Sequence, residues 1–148
     1  MIRKYNSVDI DNKLIWNLWD ISHTMRRISE GKGSQKRILI MLLEAGTLTQ
    51  RELTQALGIK PGSVSEVLGK LESIDMITRS LSATDHRTAD VQLTEEGRVL
   101  AEEAARQREK RHQEMFACLS EKEKETLLFL LEKMNFDWEN RYCEKVGE

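Results

Sequence analysis

Ser63, Ser65, Glu66 and Lys70 place two hydroxyls, a carboxylate and an ammonium group within one short stretch. They are interleaved with Val64, Val67, Leu68 and Leu71, which recur at i, i+3, i+4 and i+7 and so share one face of a helix. The polar groups fall on the other face, together with Gly62 and Gly69. This set donates and accepts hydrogen bonds, but it contains no nucleophile with a base beside it. Its chemistry is recognition: small side chains let the backbone come close to a surface, and the polar groups grip or read it. A glycine inside a helix costs about 1 kcal/mol relative to alanine, so two of them need a reason. Close approach to the major groove of DNA is one reason, and a merely solvated face is the competing one.

A second group carries positive charge. Arg79 lies on a stretch read as a strand, Met76 to Leu81. Ser82-Ala83-Thr84-Asp85-His86 is turn chemistry, with His86 and Arg87 at its tip. Ala89, Val91 and Leu93 then alternate with Asp90 and Gln92, the period of a half-buried strand. An arginine-tipped hairpin suits a narrow minor groove, where negative potential concentrates. The alternative is a plain surface hairpin whose arginine pairs with Asp85; both can hold if Asp85 braces Arg87. Arg51 and Lys60, just before the polar helix, extend the expected DNA-binding set.

The elements that must position these groups are legible. Thr49-Gln50-Arg51-Glu52 is a capping box. Leu53, Ala56 and Leu57 supply an inner stripe, and Gly58 stops the helix where a left-handed residue is wanted. Pro61 suits a first helical turn. Helix, glycine-containing turn and helix form a helix-turn-helix. Ser63-Val64-Ser65-Glu66 is a second possible box, which would start the later helix two residues on. With the hairpin the whole is a winged helix, so the expected fold is mainly α (α+β).

Leu53, Leu57-Gly58-Ile59, Ser63-Val64-Ser65, Leu71-Glu72, Ile77, Arg79, Asp85-His86-Arg87 and Leu93-Thr94-Glu95-Glu96-Gly97 resemble the MarR (multiple antibiotic resistance regulator) family of winged-helix transcription factors. The Asp-x-Arg wing followed by Leu-Thr-x-x-Gly is the more specific part, and the match covers roughly residues 34–100. Two positions depart from the pattern. His86 replaces the usual middle arginine of the wing, and Asp75 replaces the usual glycine after the recognition helix. Aspartate tolerates the left-handed conformation better than most residues.

The two ends of the chain carry excess apolar surface. Leu14, Leu18, Ile21, Met25 and Ile28 form a stripe on a first helix from Val8 or Asp9 to about Ser29. A long helix from Thr94 to about Leu119 has a charged middle. Ser120-Glu121-Lys122-Glu123 caps a last helix bearing Leu127, Leu128, Leu130, Leu131, Met134, Trp138 and Tyr142. A short strand is placed at Thr47-Leu48. The expected layout of residues 1–148 is a single unit of the MarR type: a DNA-binding lobe over about 34–97, with dimerisation helices over about 8–30 and 98–146. Uncovered stripes point to a homodimer, as does the resemblance; an intramolecular bundle is the alternative. A two-fold dimer would set two recognition helices about 34 Å apart, over a pseudo-palindromic promoter site. Occlusion of polymerase there would make it a repressor.

The resemblance also implies a cleft open to small aromatic or amphipathic effectors. Trp16, Trp19, His23 and Arg27 on the first helix, with His112, Met115 and Phe116 on the fifth, are its candidate lining. The competing reading makes the tryptophans dimer core.

Composition limits the other classes. A chain of 148 residues with 39% hydrophobic and 32% charged residues is an ordinary globular length and balance. No apolar run approaches the ~20 residues of a membrane span, and no leader pattern opens the sequence; a cytoplasmic protein without membrane contact is expected. The three histidines and two cysteines lie outside metal-motif spacing, and no phosphate loop, nucleophile elbow or dinucleotide fingerprint occurs. We therefore expect no catalytic residues, no metal and no cofactor, hence no enzyme. Some family members sense oxidants through a thiol, but Cys118 reads as a small buried residue and Cys143 as exposed or at the dimer contact. The net charge of −2 keeps open a winged helix used for contact with protein rather than DNA.

Overall fold

The Thr49 hydroxyl accepts the Glu52 amide at 3.1 Å, and the Glu52 carboxylate accepts the Thr49 amide at 2.7 Å. This closed capping box starts α3 (Gln50–Leu57), and Gly58, at φ 64°, ends it in the left-handed region. The computed structural model describes residues 5–29 and 34–143. Before α3 come α1 (Ile10–Ile28), capped by Asp9, α2 (Gln35–Ala45), capped by Ser34, and strand β1 (Thr47–Thr49). After it come α4 (Pro61–Ser73), the hairpin β2 (Ile77–Leu81) and β3 (Ala89–Leu93), then α5 (Glu95–Met115) and α6 (Glu121–Trp138).

The fold is mainly helical with one small antiparallel sheet, the winged-helix class that the sequence predicts. In that sheet β3 is central, with β1 on one side and β2 on the other. Leu48 faces Val91, and Arg79 faces Val91 from the opposite edge. The core gathers Ile38, Leu39 and Leu42 from α2, Leu53 and Leu57 from α3, and Val64, Leu68 and Leu71 from α4. Ile77, Val91 and Ala101 close it. The apolar stripe of α4 thus faces inward, with Val64, Leu68 and Leu71 buried and Val67 partly so, which leaves its polar side outward.

Four details differ from the sequence reading. Ala56 is exposed, so α3 buries only its Leu53 and Leu57 pair. The second capping box does not form: α4 begins at Pro61, with Lys60 at the N-cap and no side-chain cap. β2 begins at Ile77, because Met76 is occupied by the junction described next. α5 ends at Met115 rather than near Leu119. There the Ala117 and Leu119 amides donate to Glu114 and Phe116, three residues back, which tightens the chain out of the α-helix. Ser120 then caps α6 through a box with Glu123.

The junction joins α4, the wing and α5. Asp75 sits at φ 59°, the only non-glycine left-handed residue among those described. Its amide donates to the Glu72 carbonyl, and the Met76 amide donates to Leu71, both at 3.0 Å. This is a Schellman closure with aspartate where glycine is usual. The Met76 carbonyl accepts the Thr94 amide at 3.1 Å, and the Thr94 hydroxyl donates to the Asp75 carbonyl. That hydroxyl also accepts the Gly97 amide at 3.0 Å, capping α5. A Cβ on Gly97 would lie 1.8 Å from the Met76 carbonyl oxygen, so only glycine fits.

The chain divides into two compact units, residues up to Ala105 and residues from Arg106 onward, with the boundary inside α5. No residue of α1 or α6 is buried. Among the described residues no helix is long and apolar enough to cross a membrane.

Candidate nucleic-acid interface

Ser63, Ser65, Glu66 and Lys70 all lie exposed on the outer side of α4. Lys70 reaches back one turn to Glu66, Nζ to Oε1 3.1 Å. Gly62 is exposed and Gly69 half-exposed, and a Cβ added at either would meet no atom within 4 Å. Internal packing therefore does not require these glycines. Lys60 is exposed at the helix entrance.

The wing is organised by Asp85. Its Oδ1 accepts both the backbone amide and the Nε of Arg87, each at 3.1 Å, and its Oδ2 lies 3.5 Å from the Arg51 guanidinium. These guanidinium bonds and the backbone amide, with Arg87 foremost, hold the Asp85 carboxyl below the usual carboxylate range. Ser82, wholly buried, accepts the Thr84 and Asp85 amides and ties down the turn beneath. Thr88 donates its amide to the Asp85 carbonyl and accepts the Arg51 amide at 3.3 Å, which joins the wing to α3. The Arg87 side chain stays 80% exposed, so the brace orients the guanidinium without consuming it. The pairing with Asp85 that the sequence suggests is therefore present, and it leaves the guanidinium accessible.

Arg79 is placed differently. Its Nε and Nη2 bond the two Glu72 carboxylate oxygens, both at 3.2 Å, and its side chain is only 24% exposed. The fork is bidentate, and it depresses the Glu72 carboxyl. Arg79 thus ties β2 to the end of α4 rather than standing open to a partner.

Arg51, Arg79, His86 and Arg87 surround one open groove of about 620 Å³ between α3, the start of α4 and the wing. Gln50 and Gln55 line it as well. In the sequence nothing marks these two amides except their place on the wet side of a capped helix. The effector candidates are divided between the two units. Trp16, Trp19, His23 and Arg27 lie on α1, in the first unit; His112 and Met115 lie on α5 and Phe116 in the turn after it, in the second. Cys118 is exposed in that same turn, not buried; no described residue after Ala104 is buried. Cys143 is exposed. Among the described residues no group of three or more histidine, cysteine or acidic side chains is placed to hold a metal.

A helix-turn-helix with a bare polar outer side, followed by an arginine-tipped hairpin, defines a winged helix-turn-helix fold. The profile of the MarR family matches residues 32–88. The HTH-type transcriptional regulator YwhA of Bacillus subtilis (strain 168) is 30% identical over 97 residues, covering 66% of this chain and 70% of that protein. YdgJ, another HTH-type transcriptional regulator of Bacillus subtilis (strain 168), is 31% identical over 101 residues and 68% of this chain; the match spans 62% of its length, less than two thirds. Among solved structures, the S. aureus MepR–DNA complex matches with a TM-score of 0.63 at 28% identity, over 82% of this chain and 95% of that one. The chain belongs to the MarR family, whose members are transcriptional regulators and not enzymes.

Proposed function

We propose that the protein is a sequence-specific DNA-binding regulator that acts as a homodimer and represses by covering promoter DNA. One observation carries this reading: the outer side of α4 is bare and polar while the Arg87 tip, braced but exposed, stands on the same lobe. The DNA complex of MepR, a relative in fold and sequence, supports it. In the proposed complex α4 enters the major groove with Ser63, Ser65, Glu66 and Lys70 toward the bases. Its N-terminal amides, near Gly62, meet phosphate. Arg51 and Lys60 flank on the backbone, and Arg87 with His86 enters the adjacent minor groove. Arg79 acts from behind, by fixing the wing.

Homodimerisation is supported by α1, where Leu14 and Ile21 are each 55% exposed along one stripe, and by the exposed leucines of α6. Trp19, exposed on α1 with Arg27 two turns on, suits an aromatic carboxylate as the releasing ligand. Any such ligand must weaken DNA binding by the factor that DNA weakens its own.

A salt-titrated gel shift against the protein's own upstream region tests the proposal. A retarded complex whose affinity falls with salt, and which unrelated duplex does not displace, is expected. The second reading, a winged helix that docks protein, draws on Glu66 at the centre of the face and the net charge of −2. It predicts no retardation even at low ionic strength.

A further inference from the structure

Glu66 stands where a DNA-binding surface least tolerates negative charge. Gly62, Glu66 and Gly69 follow at i, i+4 and i+7, so they share one line along α4. The two glycines leave the helix bare on either side of the carboxylate, and among the described residues no atom lies within 4 Å of where a Cβ would stand at either. A backbone that approaches closely at both glycines carries Glu66 deepest into whatever it meets. A carboxylate in that position is repelled by phosphate and gains only where the partner offers a donor. Lys70, 3.1 Å away, cancels its charge and adds a donor of its own.

Resting on the DNA-binding reading above, we infer that the Glu66–Lys70 pair reads a single C·G base pair in each half of the operator. Cytosine presents an amino donor to the major groove, and guanine presents O6 and N7 as acceptors. Glutamate accepts from the cytosine amino group, and lysine donates to guanine. Within the base pair the cytosine amino group and guanine O6 are themselves hydrogen-bonded, so they lie about 2.9 Å apart. The head groups of the ion pair, 3.1 Å apart, have the spacing and the reversed polarity to match. The reversed pairs G·C and T·A set an acceptor against the carboxylate. A·T presents the same central donor and acceptor, but it puts adenine N7, an acceptor, beside the carboxylate and the thymine methyl beside the ammonium, where C·G offers guanine N7. Discrimination therefore arises as much by penalty at wrong sites as by gain at the right one.

The test selects binding sites from a random duplex pool with the full-length protein, then measures affinity across single-base variants of the selected site. Wild type should fix a C·G pair at one position in each half-site and disfavour other pairs there about ten- to a hundred-fold. Glu66→Ala and Lys70→Ala should each flatten the preference at that position and leave the others standing. Glu66→Gln, which both donates and accepts, should move the preference toward adenine. Circular dichroism would confirm that these surface variants remain folded. The inference is overturned if Glu66→Ala leaves every positional preference intact, or if Lys70→Ala weakens all sequences equally, as a phosphate contact would. A wild-type protein that enriches no sequence at low salt would instead remove the DNA-binding reading, and this inference with it.

Discussion

Asp85 binds two arginines yet leaves one of them available. Its contacts fix the direction of Arg87 while most of that side chain remains in solvent, so little ordering is left for the proposed DNA complex to impose. Arg87→Ala should lower operator affinity by about 1–3 kcal/mol, measured by gel shift, while the unfolding midpoint hardly moves. Asp85 adds a pH signature. Its carboxyl titrates below the usual range because the folded wing stabilises the anion. The corresponding stability is complete above the unfolded carboxylate range and is lost as pH falls through the depressed folded value. Thermal midpoints followed into acid should therefore fall less steeply in Asp85→Asn than in wild type. At this scale the sequence was informative where partners are neighbours: the Asp85–Arg87 brace spans two positions and could be read directly. The Glu72–Arg79 pair could not, since it depends on how α4 turns into β2 through a left-handed Asp75. The sequence shows Arg79 as a cation on a strand and gives no sign of its fork to Glu72.

Between elements, the junction of α4, the wing and α5 is a single hydrogen-bonded unit. The Schellman closure at Asp75 and Met76 presents two carbonyls, and Thr94 takes up both. Gly97 lets α5 lie against the Met76 carbonyl. A methyl group there cannot be relieved by a rotamer change, because the opposing atom is backbone. Gly97→Ala should cost at least the 1–3 kcal/mol typical of overpacking, read from chemical denaturation. It should also loosen the wing base, seen as faster amide exchange at Thr94 and Met76. A variant with unchanged stability and exchange would show that the helix can shift without disturbing the wing. Element identity was legible throughout this region because caps and stops are local: Thr49 with Glu52, Gly58, and Ser120 with Glu123. The early end of α5 was not. Met115, Phe116 and Leu119 continue the apolar spacing, and nothing in that spacing shows that the amides have shifted to carbonyls three residues back.

For the whole molecule, the decisive quantity is the apolar surface that one chain leaves uncovered. Ile10, Leu14, Trp19, Ile21 and Met25 on α1, and Leu128, Phe129 and Phe136 on α6, are all exposed. Burying one such side chain is worth about 1.5–3 kcal/mol, so several together suffice to drive association. If a second copy covers them, folding and association are coupled, and the thermal midpoint must rise with protein concentration. Leu14→Glu places a charge in the middle of the α1 stripe without touching the lobe's core. Sedimentation should then report a single subunit at micromolar concentration where wild type reports two. The lobe's own near-native spectrum should persist. Operator affinity should fall by roughly the 10²–10⁴ that linking two half-site contacts provides, while sequence preference within one half-site is kept. An intramolecular bundle gives the opposite pattern: Leu14→Glu would lower the unfolding midpoint of a species already monomeric, and the midpoint would not depend on concentration in either protein. The two outcomes differ in mass, in concentration dependence and in DNA affinity, so the measurement decides how the recognition surfaces are multiplied.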